Sequence, residues 1–399
     1  MKKISFLFLL ILLVFCFYLF YSYNFNKKSD DLIKEDLSFN KAIFVSYLDY
    51  SPYLKNKDID TQKDNLDKMI SNINEYGFNM VLLQVRPFCD AIYKSRYFSP
   101  SLTVVSSIHD ELNFDILDYF IKKCHKYNIK VHAWINPYRV RSSDNIKTIR
   151  EDSKIYSWLN TNRVYISSFG IYLNPANDDV LEYILNGVKE IVSNYDIDGI
   201  LYDDYFYPNR EIDLENYDDY KKSGGILDID DYRRENINNL IKETYNTIKS
   251  IKKDVLFGLS PAGNIENNYN NEYLDIKYLL NENLYLDYVM PQLYYGFENQ
   301  IKPFIETLDI WNLMIKSHDV KLYPALALYK SGKEDKYALK GKEEWILNDD
   351  IIKKQVIVSH NKSHYGGFSI FRYDFIFNGN LQNEVMQREI NNLKIFMQK

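Results

Sequence analysis

The sequence predicts an α/β fold, a (β/α)8 TIM barrel preceded by an N-terminal membrane-spanning helix, and three observations predict it. Eight short runs rich in β-branched and aromatic residues recur along the 399-residue chain. Longer segments with helical periodicity separate or follow them. One uncharged apolar run stands at the N-terminus. With 46% hydrophobic and 26% charged residues the chain has an ordinary globular balance and can bury a large core.

Taken in order, the first element is the apolar run Ile4 to Phe25, with Lys2 and Lys3 before it and Lys27 and Lys28 after it. About 20 apolar residues cross a bilayer. A cleaved signal peptide has a shorter apolar core and a small-x-small site, which is not found before Asn24. Residues 1–25 are therefore expected to be an uncleaved signal anchor, with secretion after cleavage as the alternative. With the first lysines inside, the rest of the chain lies outside the cytoplasmic membrane. Residues 26–40 form a polar tether, and residues 41–399 form the barrel.

Within the barrel, strands are expected at Ala42 to Leu48, Asn79 to Arg86, Ile129 to Asn136, Ile197 to Asp204, Val255 to Ser260, Leu286 to Tyr294, Lys321 to Ala327 and Gly366 to Arg372. Helices are expected at Thr61 to Tyr76, Phe114 to Tyr127, Asp178 to Tyr195, Asp231 to Ser250, Ile301 to Lys316, Glu343 to Asn361 and Gln382 to Met397. In the first of these, Leu66, Met69, Ile70 and Ile73 recur at helical spacing and supply one apolar face. Near-continuous apolar strands alternating with helices call for a parallel sheet covered on its outer side. Eight units, with no Gly-rich phosphate loop after the first strand, favour closure over a doubly wound open sheet. Three long connections, Ser95 to Asn113, Val140 to Asn177 and Pro208 to Asp230, follow strands and would roof the C-terminal face.

Composition closes several routes to function. A net charge of -6 gives no general attraction for nucleic acid. Cys16, Cys89 and Cys124 are too few and too scattered for a disulfide framework or a thiolate zinc site. Only His132 among the histidines lies in a strand-end cluster, so no metal site is expected, and no cofactor. No G-x-S-x-G elbow occurs, and Cys89 has no evident histidine partner. The abundant tyrosine and phenylalanine accompany many Asn, Lys and Ile, as codon bias produces, so only aromatics at strand ends inform the chemistry.

Carboxylate chemistry remains. The fourth strand finishes in Asp203 and Asp204, followed by Tyr205, Phe206, Tyr207 and Pro208. Side chains alternate along a strand, so the two acids face different ways, and one can enter the cavity as nucleophile or base while the other orients it. The second strand ends in Gln84, Val85, Arg86 and Pro87 with Asp90 beyond, and the third in His132 to Asn136 with Tyr138 and Arg139. A half-buried Arg86 or Arg139 needs a carboxylate partner and could hold Asp203 or Asp204 ionised, or else close the barrel as an ion pair. Downstream, Ser260 and Pro261, Pro291, Gln292 and Tyr294, and Phe371 to Asp374 add amides and aromatics suited to hydroxyl and N-acetyl groups.

As an ordered set these segments resemble the bacterial envelope family called glycosyl hydrolase-like family 10. The residues that carry the resemblance are Gln84 to Pro87 with Asp90, Ala91 and Tyr93; His132 to Arg139; Tyr172 to Pro175; Asp198 to Ile200 with Asp203 to Pro208; Arg233, Arg234 and Asn236; Ser260, Pro261 and Gly263; and Pro291, Gln292 and Tyr294. The resemblance spans nearly everything from Lys41 to the last strand. It implies a (β/α)8 barrel, an extracytoplasmic location and action on cell-wall glycan, with peptidoglycan strands as the target. Three positions depart from the pattern: Cys89 stands in place of a small residue, and Tyr232 and Tyr295 in place of tryptophans.

The expectation is a membrane-anchored glycoside hydrolase acting through two carboxyl groups. Asp203 or Asp204 is the nucleophile or base. Asp90 is the preferred acid, because the resemblance includes it, with Glu298 and Asp374 as other strand-end acids. Arg86, His132, Asn136, Tyr138, Arg139, Tyr205, Gln292 and Tyr294 are expected to orient substrate. Two rivals are a noncatalytic wall-glycan-binding protein on the same barrel and a hydrolase of another exported polysaccharide.

Overall fold

The computed structural model describes residues 39–281, 285–378 and 383–398. The expected signal anchor lies outside the described residues, as does nearly all of the expected tether. Among the described residues no helix is long and apolar enough to cross a membrane.

A curled, all-parallel sheet organises the chain. Its strands are β1 (Asn40–Val45), β2 (Met80–Arg86), β3 (Lys130–Ile135), β4 (Gly199–Tyr202), β5 (Leu256–Leu259), β6 (Tyr288–Val289), β7 (Lys321–Leu322), β8 (Ala325–Leu326) and β9 (Gly367–Ile370). Their spatial order is β7-β6-β5-β4-β3-β2-β1-β9-β8. The two ends of that order, β7 and β8, are successive pieces of one segment interrupted at Pro324, whose missing N–H suits a gap in a ladder. That segment bonds on both sides: Tyr323 N donates to Val289 O at 2.9 Å, and Ser369 N to Pro324 O at 3.0 Å.

Alternation along the strands sorts two cores. Ala42, Phe44, Met80, Leu82, Trp134, Leu201, Tyr288 and Met290 turn to the concave side. Ile43, Val45, Val81, Leu83, Val131, Ala133 and Ile200 turn outward and pack under helices. The helix Ile59–Glu75 is typical: Asp58 caps it by accepting from Thr61 N, and it buries Leu66, Met69, Ile70 and Ile73 against the sheet. Asn177 and Asp228 cap the helices Asp178–Asn194 and Ile229–Ile251 in the same way.

Two departures from the expected elements matter. The connection after β3 is not only a roof loop, because Arg139–Arg141, Val164–Ser167 and Gly170–Leu173 form a three-stranded antiparallel sheet. The helix expected from Glu343 to Asn361 is broken into Glu344–Leu347 and Ile351–His360, with Asn348, Asp349 and Asp350 between them. Such polar residues bond to nearby backbone groups and so favour turns over helix interiors.

Candidate active site

At the C-terminal end of β4 the inward alternation continues through Leu201 to Asp203, which is 3% exposed. Its Oδ2 accepts from Trp134 Nε1 at 2.9 Å and from Asn136 Nδ2 at 3.4 Å. Both donors sit at the end of β3, which is in parallel register with β4 through Ile135 and Tyr202. Burial, and then the charge of Asp204, pushes the Asp203 carboxyl up to about 7, against the opposing pull of the Trp134 bond and the Arg139 cation. Asp204 is also raised by burial, with a hydrogen bond from Gln292 drawing it back. The Gln292 amide is itself fixed, donating from Nε2 to Ser260 O at 3.1 Å.

A third carboxyl completes the cluster. Glu272 follows the short helix Ile265–Asn270 in the connection after β5. Its Oε2 accepts from Phe206 N at 3.4 Å, and it also bonds to the Tyr207 backbone. Burial and then Asp204 push it up to about 7. Glu272 is not legible among the strand-end acids, because it stands 13 positions beyond Leu259, in an Asn-rich stretch without apolar periodicity. That stretch also holds Glu266 and Asp275, so no local signal singles out Glu272.

Aromatic rings floor this cluster. Trp134 meets Phe44 edge-on at 5.2 Å, Phe44 meets Phe371 at 5.7 Å, and Tyr294 meets Phe371 and Tyr329 at 5.8 and 5.7 Å. Arg139 lies over Phe88 at 5.0 Å and Tyr205 at 5.6 Å. Tyr205 is 56% exposed, a rim position for a large ring. Such a floor with few convergent polar groups suits the flat apolar faces and hydroxyls of a sugar.

Several residues expected to orient substrate or donate a proton lie elsewhere. Arg86 is 0% exposed. The β2–β3 register shifts between Gln84 and Arg86, so Arg86 pairs with outward-facing Ile135 and its guanidinium packs on Phe98 at 3.7 Å. It does not hold Asp203 or Asp204. His132 is likewise 0% exposed. It faces the concave core, where Nδ1 bonds to Tyr288 Oη at 2.8 Å and its ring fills the space that Gly199 leaves by lacking a Cβ. Burial pushes His132 down to about 4. Tyr138 is buried in the outer core.

Asp90, the expected acid, is enclosed. The loop after β2 folds back through a two-residue bridge, Asp90–Ala91 with Ser99–Pro100, and Arg141 Nη1 meets Asp90 Oδ2 at 3.1 Å. Asp374 is bonded by Asn378 in the helix Tyr373–Phe377, and Glu298 is exposed on its loop. Asn136, Arg139, Tyr205, Gln292 and Tyr294 do gather around Asp203 and Asp204. Of the departing positions, Tyr232 meets Tyr220 in a tilted ring contact at 4.8 Å within the connection after β4, and Cys89 is buried.

A separate recess of about 890 Å³ opens between residues 95–100, residues 150–158 and the helix Asp178–Asn194. Two of its arginines are already paired, Arg150 with Glu111 at 2.7 Å and Arg163 with Asp179 at 2.5 Å, and none of the three clustered carboxyls lines it. Size alone does not locate the chemistry.

A family model described as glycosyl hydrolase-like 10 matches residues 41–345. The chain is 31% identical over 346 residues to glycosyl hydrolase DigH of Escherichia coli (strain K12), covering 79% of this chain and 76% of the relative. It is 30% identical over 306 residues to glycosyl hydrolase YngK of Bacillus subtilis (strain 168), covering 70% of this chain and 58% of the relative. Its fold is similar to that of the PgaB (BpsB) glycoside hydrolase domain from Bordetella bronchiseptica, with a TM-score of 0.55 and 13% identity over 89% of this chain and 99% of that one.

Proposed function

The chain belongs to the glycosyl hydrolase-like 10 family, and from that premise we propose that it hydrolyses glycosidic bonds of bacterial cell-wall glycan, with peptidoglycan strands as the substrate. The observation that carries this reading is the half-buried carboxyl of Asp204 beside buried Asp203, above an aromatic floor. Hydrolysis of a glycoside passes through an oxocarbenium-like transition state. It needs an ionised carboxylate at the anomeric carbon or at the attacking water, and a protonated acid at the leaving oxygen. Of the two carboxyls Asp204 is the more open, and so the one that can reach a sugar. Asp204 is therefore the base or nucleophile, and Asp203, locked by Trp134 and Asn136, orients it. Arg139, Tyr205, Gln292 and Tyr294 orient the sugar.

The bonding of residues 321–326 to both neighbouring strands supports reading the curled sheet as a closed (β/α)8 barrel over residues 41–399. The apolar run Ile4 to Phe25 with its flanking lysines supports a catalytic domain anchored outside the cytoplasmic membrane.

The test is to incubate the full chain, and its Asp203→Asn and Asp204→Asn variants, with purified peptidoglycan and with peptide-stripped glycan strands, and to identify products by mass spectrometry. The wild type is expected to release new saccharide ends, and Asp204→Asn to lower the rate by about 10³-fold or more with an unchanged melting temperature. Binding without cleavage would make this a wall-binding protein. Cleavage only of another exported polysaccharide would change the substrate and keep the chemistry.

A further inference from the structure

The cluster holds an ionisable base, but the proton donor expected from the sequence is enclosed by Arg141. Asp203 cannot take its place. Its Oδ2 already accepts from Trp134 and Asn136, and its Oδ1 is buried away from the open side of the cluster. A general acid must lie within hydrogen-bond reach of the atom it protonates.

We propose that Glu272 is the catalytic acid, donating its proton to the departing glycosidic oxygen while Asp204 acts at the anomeric carbon. This assignment rests on the glycosidase reading above. Glu272 is half-buried rather than enclosed, and its bonds to the backbone of Phe206 and Tyr207 fix it to the loop that carries Asp204. Acid and base are thereby held on one short segment.

Both flanks of Glu272 are pinned. Before it, Arg210 Nη2 reaches Asn270 O at 3.3 Å and Asn271 Oδ1 at 3.4 Å. After it, Tyr273 is buried, and its hydroxyl accepts from Arg233 Nη1 at 3.0 Å. Tyr273 adopts a φ of 52°, in the left-handed region that is costly for a bulky residue. Strain of this kind persists where the surroundings over-determine the backbone, as they do at active sites. Burial and then the Asp204 charge also raise the Glu272 carboxyl to about 7, which favours its holding a proton.

In the reaction the glycosidic C–O bond breaks and the Glu272 proton passes to the leaving oxygen. Asp204 either bonds to the anomeric carbon or takes a proton from the water that does. In the first case a water then hydrolyses the glycosyl-enzyme ester and gives its proton back to Glu272. In the second case the proton taken by Asp204 is lost to solvent and Glu272 regains one from solvent. Either way one water is consumed and both carboxyls return to their starting states.

The test compares wild type and Glu272→Gln in the full chain on two substrates: the glycan cut by the wild type, and a dinitrophenyl glycoside of the saccharide released from it. A dinitrophenolate leaves without protonation. The readout, for variants and pH profiles alike, is kcat/KM, which covers only the steps up to departure of the leaving group: if Glu272 is the acid, kcat/KM of Glu272→Gln falls about 10²-fold or more on the glycan and stays within about five-fold of wild type on the dinitrophenyl glycoside. Equal losses on both substrates would make Glu272 a structural residue and overturn the assignment, as would full activity on both. Should the variant not fold, the wild-type pH profile decides. A basic limb near pH 7 on the glycan, absent on the dinitrophenyl glycoside, supports the assignment, and the same limb on both overturns it. A wild type that cuts no glycan overturns the glycosidase reading itself, a result separate from an active enzyme indifferent to Glu272→Gln.

Discussion

Two glutamates on opposite duties show what separates chemistry from scaffolding in this molecule. Glu389, in the C-terminal helix Glu384–Met397, is pushed up to about 7 by burial and accepts from two backbone N–H groups, those of Ile351 and Ile352 at 3.0 and 2.7 Å. Glu272 is pushed up to about 7 by burial and also bonds to two backbone groups, those of Phe206 and Tyr207. The shift and the bonding are alike. Glu389, however, is 0% exposed and closes the N-terminus of the helix Ile351–His360, whereas Glu272 is half-open and has Asp204 beside it. A raised carboxyl is therefore no signature of a site by itself, because burial lifts many acids here, Asp90 and Asp49 included, despite their arginine partners. Glu389 too has an acid neighbour, Asp350, but that one pairs with Lys354 at 2.8 Å, so access and a neighbour with no salt bridge among the described residues make the difference.

The comparison breaks first on stability. Glu389→Ala leaves the Ile351 and Ile352 N–H groups without their acceptor inside the protein, which costs on the order of 2–4 kcal/mol. Thermal or urea unfolding is expected to show that loss, while glycan cleavage per folded molecule stays at the wild-type level. A variant that kept its stability and lost activity would put Glu389 in the wrong class.

Asp203 sharpens the contrast with the opposite sign. Its folded value of about 7 lies above the ordinary 3.8, so its stabilising contribution is fully present below about pH 4 and is lost as pH rises through 7. Asp203→Asn keeps an oxygen to accept from Trp134 and does not titrate. The stability of wild type relative to this variant should therefore fall by up to about 1.4 kcal/mol per pH unit between roughly pH 4 and 7, and level off above. Parallel stability curves for the two proteins would show that Asp203 is not raised.

How far this contrast could be read from sequence depends on the residue. Strand positions and the Asp203–Asp204 terminus followed from apolar runs and alternation, because a buried parallel strand leaves few other places for two adjacent acids. Asn136 followed for the same reason, whereas Trp134 entered only as part of the family resemblance and not as the donor that bonds Asp203. Arg86 did not, since one register shift after Gln84 turns it to the outer layer, and a shift of one residue changes no composition. His132 reads as a polar strand-end residue until Gly199 is seen to vacate the space its ring fills. Asp90 turned on a loop fold-back and an arginine 51 positions away. Glu272 reaches the site through a left-handed turn at Tyr273, and no local pattern announces such a turn at a tyrosine.

The smallest expected effect tests the edge of the site. Arg139 is the cation acting on Asp203, yet no salt bridge joins them among the described residues; its guanidinium instead rides over Phe88 and Tyr205. Arg139→Met preserves length and packing and removes the charge. Losing cation–π contacts at a partly open position amounts to about 0.5–1 kcal/mol, so KM for glycan should rise about two- to five-fold through the freed Tyr205 ring. With the cation gone, the Asp203 carboxyl moves further up, and the pH at which wild-type stability levels off against Asp203→Asn moves up with it when both carry Arg139→Met. A shift in that pH with unchanged KM would place Arg139 under the acids rather than at the rim. A raised KM with no shift would place it at the rim alone. Either outcome would locate where the guarded carboxyl ends and the sugar-facing surface begins.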